Sequence, residues 1–381
     1  MRIVVFGLSI TSSWGNGHAT TYRGLIRELV RRGHDVLFLE RDAPWYAANR
    51  DLPQPSYGRI GLYSTLDELK DRFTSDVRGA DFVMVGSYVP DGVAAGKWVI
   101  ATARGAKGFY DIDTPVTLAK LARGDEQYLS AAMIRDYDIY FSFTGGPTLA
   151  RIEREYGSPR ARVLYCSTDP DMYFPEPRPA EWEMGYLGTY SGDRQPALDR
   201  LLLEPARRSP AGRFVVAGPL FPATIKWPRN TDHIEHLAPP AHRAFYNSQK
   251  FTLNITRADM IRAGWSPSVR LFEAAACATP IVSDYWLGLE TIFRIGEEIL
   301  VARGPEDTLR YLSQMCPEQR AALGQRARRR ILAAHTSAHR AAELEGHVRQ
   351  LLEERSKWGR LSNLRGGCQT AAGPITPPAR A

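Results

Sequence analysis

An aspartate pair that follows a predicted strand could carry acid–base chemistry. Asp111 and Asp113 come directly after the apolar run at 108–110, and Thr114 with Pro115 predicts that a helix begins beside them. The carboxyl end of a parallel strand lies at the edge where such sheets bind ligands, so these carboxylates could bind hydroxyl groups or accept a proton. The alternative is that one of them only caps the helix. No third ligand is signalled nearby, so the pair does not predict a metal site.

A glycine-rich loop with a histidine follows the first predicted strand. The loop Trp14-Gly15-Asn16-Gly17-His18 runs into an amphipathic helix, and its exposed backbone N–H groups could hold an anion or a hydroxyl-rich ligand. His18 is a candidate general base or ligand-binding residue, although a histidine at a helix start is also a common capping residue. The dinucleotide-binding fingerprint requires a glycine at the position of Thr20, so the loop argues against a nicotinamide cofactor.

A third segment combines a helix start with an acid in an apolar stretch. Ser266 and Pro267 suit the N-cap and the first position of a helix, whose free N–H groups would point out of the domain. Glu273 lies about two turns further along, near an Ala-rich packing face where an unpaired carboxylate is costly. A ribose diol could satisfy that carboxylate with two hydroxyls. The alternative is an ion pair with Arg270 or Arg257.

The stretch from Asn254 to Asp284 resembles the nucleotide-binding signature of GT-B glycosyltransferases, with a C-terminal domain of the glycosyltransferase family 1/4 type. A helix start, a glutamate, an Ala-rich segment and Thr-Pro-Ile-Val-Ser-Asp follow one another as in that signature. The chain is most similar to the CgeB-like, spore-maturation-type branch of this fold, over residues 1 to roughly 350. The segments that carry this likeness are 111–117, 143–147, 165–171, 254–257 and 270–273.

The resemblance implies transfer of a sugar from a nucleotide-diphosphate donor to a hydroxyl of a saccharide, natural product or other small molecule. The expected donor is UDP- or dTDP-linked. It implies no cofactor and no metal. Asp113 or His18 would act as base if the transfer inverts configuration, and Asp111 is a third catalytic candidate. The expected donor site comprises Gly188, Thr189, Tyr190, Gly218, Arg257, Ser266, Ser268, Arg270 and Glu273, with Glu273 on the ribose. The expected acceptor site comprises Trp14, Asn16, Gly17 and His18.

Two positions depart from the pattern of this fold. Retaining GT-B enzymes often carry another glutamate eight residues before the one on the ribose, and that position is Trp265 here. The usual Ala-Cys-Gly-Thr-Pro turn has Ala278 in place of glycine, which gives up conformational freedom at positive φ. The first departure leaves the stereochemical outcome unassigned.

The predicted elements that position these residues alternate between strands and helices. A right-handed parallel unit is predicted from an apolar strand at 3–7, a helix ended by Gly33 and a second apolar run at 36–39. The same alternation of strands and helices resumes after a Pro-rich segment. The pattern predicts two Rossmann-like doubly wound α/β domains facing each other across a cleft, with C-terminal helices crossing back. The expected boundaries are an acceptor-binding domain at 1–170, a linker at 171–180, a nucleotide-sugar-binding domain at 181–335, a returning helix at 336–360 and a disordered tail at 361–381.

Composition narrows the class of protein and its partners. The 381 residues are 44% hydrophobic and 24% charged, which fits a globular chain with two cores. The net charge of +7 comes from scattered arginines, which favours an anionic small substrate over nucleic acid. Four scattered cysteines and the lack of a long apolar segment lead us to expect a cytoplasmic protein without a transmembrane segment.

Two other classes of protein remain open at this stage. One is a non-catalytic GT-B relative that binds a nucleotide sugar without turning it over, because a fold does not guarantee activity. The other is an NAD(P)-dependent oxidoreductase, which would account for the first glycine-rich loop but not for its missing third glycine. The sequence does not determine the oligomeric state, the donor sugar or the acceptor.

Overall fold

The computed structural model describes residues 1–366, with side chains described through residue 357. These residues form two lobes, each built on a single parallel sheet covered by helices. We call them the N-terminal lobe, with its sheet at residues 2–163, and the C-terminal lobe, with its sheet at residues 182–301. The predicted fold class, two α/β domains facing each other across a cleft, is confirmed.

The sheet of the N-terminal lobe has seven strands in the order β3-β2-β1-β4-β5-β6-β7. The apolar run at the start of the chain is an interior strand of this sheet, and it is buried because helices cover both faces of the sheet. The strands are β1 (Arg2–Gly7), β2 (Asp35–Arg41), β3 (Arg59–Tyr63), β4 (Phe82–Gly86), β5 (Ala106–Asp111), β6 (Ile139–Ser142) and β7 (Ala161–Val163). The helices are α1 (His18–Arg31), α2 (Pro44–Ala47), α3 (Leu66–Gly79), α4 (Gly92–Thr102), α5 (Thr114–Leu121) and α6 (Pro147–Tyr156), with a 3-10 turn at Ala131–Asp136.

The C-terminal lobe repeats this plan with six strands in the order β10-β9-β8-β11-β12-β13. Its strands are β8 (Trp182–Leu187), β9 (Phe214–Ala217), β10 (Thr231–Ile234), β11 (Gln249–Asn254), β12 (Ile281–Ser283) and β13 (Leu300–Val301). Its helices are α7 (Gln195–Leu198), α8 (Glu204–Arg208), α9 (Pro239–Asn247), α10 (Ala258–Ala263), α11 (Val269–Ala276), α12 (Pro305–Gln314) and α13 (Pro317–Ala334). A π-helical turn at Asp199–Leu203 joins α7 to α8, and a 3-10 turn lies at Leu289–Thr291.

Each sheet has one point where the strand order reverses. The reversal lies between β1 and β4 in the N-terminal lobe and between β8 and β11 in the C-terminal lobe. Loops leave neighbouring strands in opposite directions at such a point, which opens a crevice at the carboxyl edge of the sheet. The two crevices are therefore the natural places for ligands.

A long C-terminal helix returns to the first lobe. Helix α14 (Ser337–Gly366) packs against α1, as predicted for the crossing helix. It runs past residue 361, where the sequence predicts that a disordered tail begins, because its charged helical pattern continues to Gly366. The rest of that predicted tail, residues 367–381, lies outside the described residues.

Direct contacts join the two lobes beside the cleft. The hydroxyls of Thr144 and Ser266 lie 2.6 Å apart and are buried. The backbone N–H of Gly145 donates to the carbonyl oxygen of Trp265 at 3.0 Å. These contacts fix the loop after β6 against the segment before α11. In the part of the chain that the structure describes, no helix is long and apolar enough to span a membrane.

Candidate functional site

A cavity of about 460 Å³ lies between the lobes, at the crevices of both sheets. The N-terminal lobe lines it with the loop after β1 and with the residues that follow β4 and β5. The C-terminal lobe lines it with the loop after β8, the segment after β11 and the start of α11. Segments far apart in sequence therefore meet in one cavity because parallel strands end at the same edge of a sheet.

A smaller cavity of about 230 Å³ adjoins the first and shares lining residues with it. Asn16, Gly17, Thr189 and Arg194 line both spaces. Glu273 lines only the smaller one. The two cavities together form one continuous candidate site with an N-terminal and a C-terminal wall.

His18 and Asp113 meet on the N-terminal wall of the larger cavity. Nε2 of His18 lies 3.7 Å from Oδ2 of Asp113, and the two side chains are 13% and 19% exposed. Nδ1 of His18 is buried and has no hydrogen-bond partner among the described residues. Asp113 occupies the N-cap position of α5, yet its side chain makes no capping hydrogen bond. The sequence named both residues as candidates without pairing them.

The charge state of Asp113 follows from its neighbours. Burial opposes ionisation, but the contact with His18 and the positive charge of Arg257 outweigh it and lower the pKa of the Asp113 carboxyl below its usual value. Asp113 is therefore a carboxylate at neutral pH. It can orient an imidazole and stabilise it when protonated.

Asp111 has a structural position, which corrects the prediction of a catalytic role. Its side chain is fully buried and lines neither cavity. Its carboxylate accepts hydrogen bonds from the hydroxyls of Tyr140 at 2.5 Å and Thr117 at 2.8 Å. Burial raises the pKa of Asp111 to about 6. The sequence could not separate Asp111 from Asp113, because residues two positions apart at the end of a strand share a face and both fit the pattern. In the structure β5 ends at Asp111, whereas Asp113 already stands at the N-cap of α5.

The loop after β1 is held in shape by its own asparagine. The amide of Asn16 donates to the carbonyl oxygens of Ser9 at 3.3 Å and Ser12 at 3.2 Å, and its Oδ1 accepts from the backbone N–H of His18 at 3.0 Å. Asn16 therefore positions the histidine as well as lining the cavities. Trp14 lines neither cavity, so the structure does not support its predicted contact with an acceptor.

Glu273 lies in α11 and its carboxylate is buried against α9. Oε2 accepts a hydrogen bond from the hydroxyl of Tyr246 at 3.0 Å and lies 3.8 Å from Nδ1 of His242. Neither Arg270 nor Arg257 pairs with it, so the ion pair considered as an alternative is absent from the described contacts. Tyr246 and His242 were missed by the sequence reasoning. Their spacing of four on a predicted helix is the signal that places them on one face.

The helix that carries Glu273 begins later than predicted. Helix α11 starts at Val269 with Ser268 at its N-cap, whereas the sequence predicts Ser266 as the cap. Ser266 is fully buried, lines neither cavity and contacts Thr144 of the other lobe. That contact holds the segment extended and overrides the local preference for a helix start at Pro267. Ser268, which lines the larger cavity, donates its hydroxyl to Oδ1 of Asn254 at 2.7 Å.

Three arginines surround the C-terminal wall. Arg257 is partly exposed in the larger cavity, and its Nε lies 4.0 Å from Oδ2 of Asp193. Arg270 lines the smaller cavity, where it donates to the carbonyl oxygen of Leu187 and to Oδ1 of Asn254 at 2.8 Å. Both were predicted from the sequence. They give this wall a positive character that the N-terminal wall lacks.

Arg194, the third of these arginines, was not predicted. It lines both cavities and donates to the carbonyl oxygen of Thr189, while its buried Nε has no partner among the described residues. Burial beside Arg257 and Arg270 lowers its pKa. Its place directly after the glycine-rich loop at 188–192 is the sequence signal that could have found it.

Glycines allow the backbone to approach the smaller cavity closely. Gly188 and Gly218 line that cavity, while Thr189 lines both and Tyr190 lines the larger one. Gly218 has φ +147°, and a Cβ there would lie 2.1 Å from the carbonyl oxygen of Gly188. No side chain fits at this position, so two loop backbones pack against each other at the edge of the site.

Trp265 stands at the lobe interface and lines neither cavity. It adopts φ +43°, and its ring lies so close to Gly146 that a Cβ there would be 2.4 Å from it. The position eight residues before Glu273 therefore serves lobe packing here. Ala278 adopts φ +56°, the left-handed conformation for which glycine is better suited. No group of three His, Cys, Asp or Glu side chains among the described residues could hold a metal ion.

Residues 194–346 match the family model described as glycosyl transferase-like. No curated protein matches the chain by sequence. Solved structures match nearly the whole chain. Sucrose-phosphate synthase from Thermosynechococcus elongatus is 15% identical with a TM-score of 0.68, and the match covers 92% of this chain and 99% of that one.

Two further structures with bound nucleotide share the architecture. HepE of Anabaena, solved with UDP and glucose, is 10% identical, has a TM-score of 0.69 and is matched over 92% of this chain and 100% of that one. An α-glucosyltransferase in complex with UDP is 12% identical, has a TM-score of 0.69 and is matched over 91% and 99% of the two chains. The same enzyme has been solved with UDP and a 13-mer DNA.

The structural likeness confirms the two-domain GT-B fold predicted from the sequence. Residues 194–346 match a glycosyl transferase-like domain, in agreement with the predicted class, a glycosyltransferase. Neither the matched family model nor any of the structures named above is a nicotinamide-dependent oxidoreductase.

Proposed function

We propose that the protein transfers a sugar from a nucleotide diphosphate to an acceptor hydroxyl in the cavity between its lobes. One observation carries this assignment: a positive C-terminal wall and the His18–Asp113 pair face each other across the same space. The C-terminal wall would bind the donor and the N-terminal wall the acceptor. The reacting anomeric carbon would then lie between them, where closure of the lobes excludes water.

The donor nucleotide is proposed to occupy the smaller cavity and extend into the larger one. Glu273 would accept hydrogen bonds from the two ribose hydroxyls, because its Oε1 has no partner among the described contacts. The loop backbones at Gly188 and Gly218 would lie along the nucleotide. This extends the predicted donor site to Tyr246, which holds the carboxylate in place.

The diphosphate is proposed to lie among the arginines. Negative charge grows on it as the bond to the anomeric carbon breaks, so groups that stabilise that charge lower the barrier most. Arg194 and Arg257 line the larger cavity and Arg270 the smaller one. The free N–H groups at the start of α11 add the positive end of a helix dipole beside Ser268. Three guanidinium groups could stabilise the negative charge of the diphosphate in place of the metal ion that other enzymes use. We therefore propose a metal-independent reaction.

The acceptor hydroxyl is proposed to lie beside Nε2 of His18. If the transfer inverts configuration, the hydroxyl oxygen forms a bond to the anomeric carbon and its proton passes to Nε2. The bond between that carbon and the diphosphate oxygen breaks, and the nucleoside diphosphate leaves with the electron pair. Asp113, 3.7 Å away, would stabilise the imidazolium that forms. In a retaining reaction neither residue needs to act as a base.

Several finer features remain part of this proposal. We propose a UDP- or dTDP-linked donor, supported by the UDP bound in structures with the same fold. The motifs at 111–117 and 165–171 support placement in the CgeB-like branch. The basic residues are scattered along the chain, which supports a small hydroxyl-bearing acceptor rather than nucleic acid. We also propose that the protein is cytoplasmic. The domain boundaries at 170 and 181 stay a prediction from the sequence.

A thermal-shift panel of UDP-, dTDP-, GDP- and ADP-sugars tests the donor assignment. A ligand that binds only the folded state raises its melting temperature by mass action, and we expect the UDP- or dTDP-sugars to do so. Nucleoside diphosphate release in the presence of a hydroxyl acceptor then tests turnover. Binding without release would identify a non-catalytic relative, and no shift with any donor would contradict the proposal.

A further inference from the structure

Tyr88 stands at the crevice of the N-terminal sheet in a strained backbone conformation. It follows β4, at the point where the strand order reverses between β1 and β4. Its φ is +62°, a left-handed value that is rare for a bulky aromatic residue. Such outliers persist only where the surrounding structure imposes them, and they concentrate at ligand sites.

The residue before Tyr88 is fixed by two hydrogen bonds to β5 and the residue that follows it. The backbone N–H of Ser87 donates to the carbonyl oxygen of Tyr110 at 2.9 Å. The hydroxyl of Ser87 accepts from the backbone N–H of Ile112 at 3.1 Å. The strained conformation therefore presents the ring of Tyr88 to the larger cavity from a rigid support.

The ring of Tyr88 lies between the proposed base and a second aromatic ring. Its centroid is 5.4 Å from that of His18 in an edge-on arrangement and 4.6 Å from that of Tyr128 in a tilted one. Nζ of Lys120 lies 5.3 Å from the centroid of Tyr88 but does not line the larger cavity. Tyr88 is thus a packed, half-buried ring adjacent to the imidazole that would receive the acceptor proton.

Charge is divided unequally between the two walls. Among the described residues that line the larger cavity, those from the N-terminal lobe include no lysine or arginine, and their only acid is Asp113. Leu8, Ile112 and Phe143 contribute apolar surface beside Tyr88. An anionic acceptor would find a carboxylate and no cation on this wall, whereas a neutral ring would find an aromatic surface.

We infer that Tyr88 is a specificity-determining residue that stacks on the acceptor, and that the acceptor is an uncharged, ring-bearing hydroxyl compound. This inference rests on the proposed function, because it assigns the acceptor half of the same site. The ring of the acceptor would lie on Tyr88 while its hydroxyl reaches Nε2 of His18. A stacked aromatic contact is worth about tenfold in affinity.

Calorimetric titration of the UDP-loaded protein tests the inference with three probes. Phenyl β-glucoside presents an aromatic and a sugar ring, methyl β-glucoside only the sugar ring, and glucose 6-phosphate an anion. Both glycosides are expected to bind at least about tenfold more tightly than glucose 6-phosphate. A higher affinity for the phenyl than for the methyl glucoside would show that the aromatic ring of the ligand stacks on Tyr88. Equal affinities would show that the face of the sugar ring does so.

Variants of Tyr88 separate stacking from a structural role. Tyr88→Asn removes the ring but tolerates positive φ, and it is expected to weaken glycoside binding about tenfold while leaving UDP binding unchanged. Tyr88→Phe keeps the ring and is expected to bind within about threefold of the parent protein. Tyr285→Asn serves as the control, because Tyr285 is an exposed tyrosine outside both cavities.

Tighter binding of glucose 6-phosphate than of the glycosides would overturn the inference. Unchanged glycoside binding in Tyr88→Asn would overturn it as well, and so would a lack of glycoside binding to the UDP-loaded protein. UDP binding is measured first in the same experiment. Its failure would contradict the proposed donor site, whereas UDP binding with any of the other adverse results contradicts only the acceptor assignment.

Discussion

Nε2 of His18 lies 3.7 Å from Oδ2 of Asp113, although one residue opens the first helix of the chain and the other precedes the fifth. The pair faces a cavity whose opposite wall carries Arg194 and Arg257. A proton acceptor and a phosphate-binding surface are therefore placed on two sides of one space. That arrangement suits a reaction in which a hydroxyl is deprotonated while an anionic group leaves.

Loss of the Asp113 charge should impair turnover more than donor binding. In Asp113→Asn the imidazolium of His18 would lack its counter-charge, and we expect kcat to fall about 100-fold or more if the transfer inverts configuration. Calorimetry should give an unchanged Kd for UDP. Asp71→Asn, a change at an exposed position in α3, serves as the control. Normal turnover in Asp113→Asn would show that the reaction does not need this carboxylate, as in a retaining transfer.

Glu273 should contribute to nucleotide affinity through its charge. Glu273→Gln keeps the size of the side chain but loses a charged acceptor, and we expect UDP binding to weaken by about 2 kcal/mol, measured by calorimetry. The affinity for 2′-deoxyuridine diphosphate should differ less between the parent protein and Glu273→Gln than the affinity for UDP does, because this ligand offers Glu273 one hydroxyl fewer. The matched control is Glu181→Gln, an exposed carboxylate outside both cavities. Equal UDP affinity in all three proteins would remove Glu273 from the donor site.

Arg194 should bind phosphate rather than the nucleoside. We expect Arg194→Gln to weaken UDP binding by about 2 kcal/mol, the cost of one charge-assisted contact, and to leave uridine binding unchanged. The ratio of the two affinities, measured by calorimetry, isolates the contribution of the phosphates. Arg200→Gln changes an exposed arginine nearby and should leave the ratio intact. A parallel loss for UDP and uridine would instead indicate a distorted loop.

Asp111 should make stability depend on pH in a defined direction. Burial raises its pKa from 3.8 to about 6, so the folded state holds the proton more tightly than the unfolded chain does. Its stabilising contribution is fully present below about pH 4 and is lost as the pH rises through about 6. Asp111→Asn cannot titrate, and urea unfolding should show a flatter pH dependence between those values. An unchanged slope would mean that other groups, such as buried Asp284, dominate.

Ala278→Gly should stabilise the protein slightly. Ala278 adopts φ +56°, and relief of that left-handed conformation is worth about 1 to 2 kcal/mol. The greater freedom of glycine in the unfolded chain offsets roughly half of this gain. We expect a net increase of about 0.5 kcal/mol in the free energy of unfolding, measured by denaturant titration. A decrease would show that the methyl group contributes packing that outweighs the strain.

The alternation of apolar runs with helical patterns was enough to predict two parallel sheets, although not every strand in them. A buried run such as β1 can only be a central strand once helices alternate with it, because a strand covered on both faces needs apolar residues at every position. Residues after strand ends and at helix starts were likewise predictable, and Asp113, His18 and Arg257 line the candidate site, as does Glu273 in the second turn of α11. Local sequence determines which residues stand at the carboxyl edge of a parallel sheet.

The partners of those residues were decided only by the tertiary structure. Glu273 could equally have paired with an arginine one turn away, yet α9 brings the hydroxyl of Tyr246 to it instead. Ser266 suits a helix cap, yet a contact with Thr144 of the other lobe holds it extended and moves the helix start to Val269.

The sequence by itself therefore determined the two-lobed architecture and the chemistry available at its edges. Helical and strand periodicities are local properties, and they suffice for that much. Which of two neighbouring aspartates faces the cavity, that Tyr88 reaches it, and that His18 meets Asp113 depend on how distant segments pack against one another. Such contacts are set by the burial of the whole chain, which no short stretch of residues encodes.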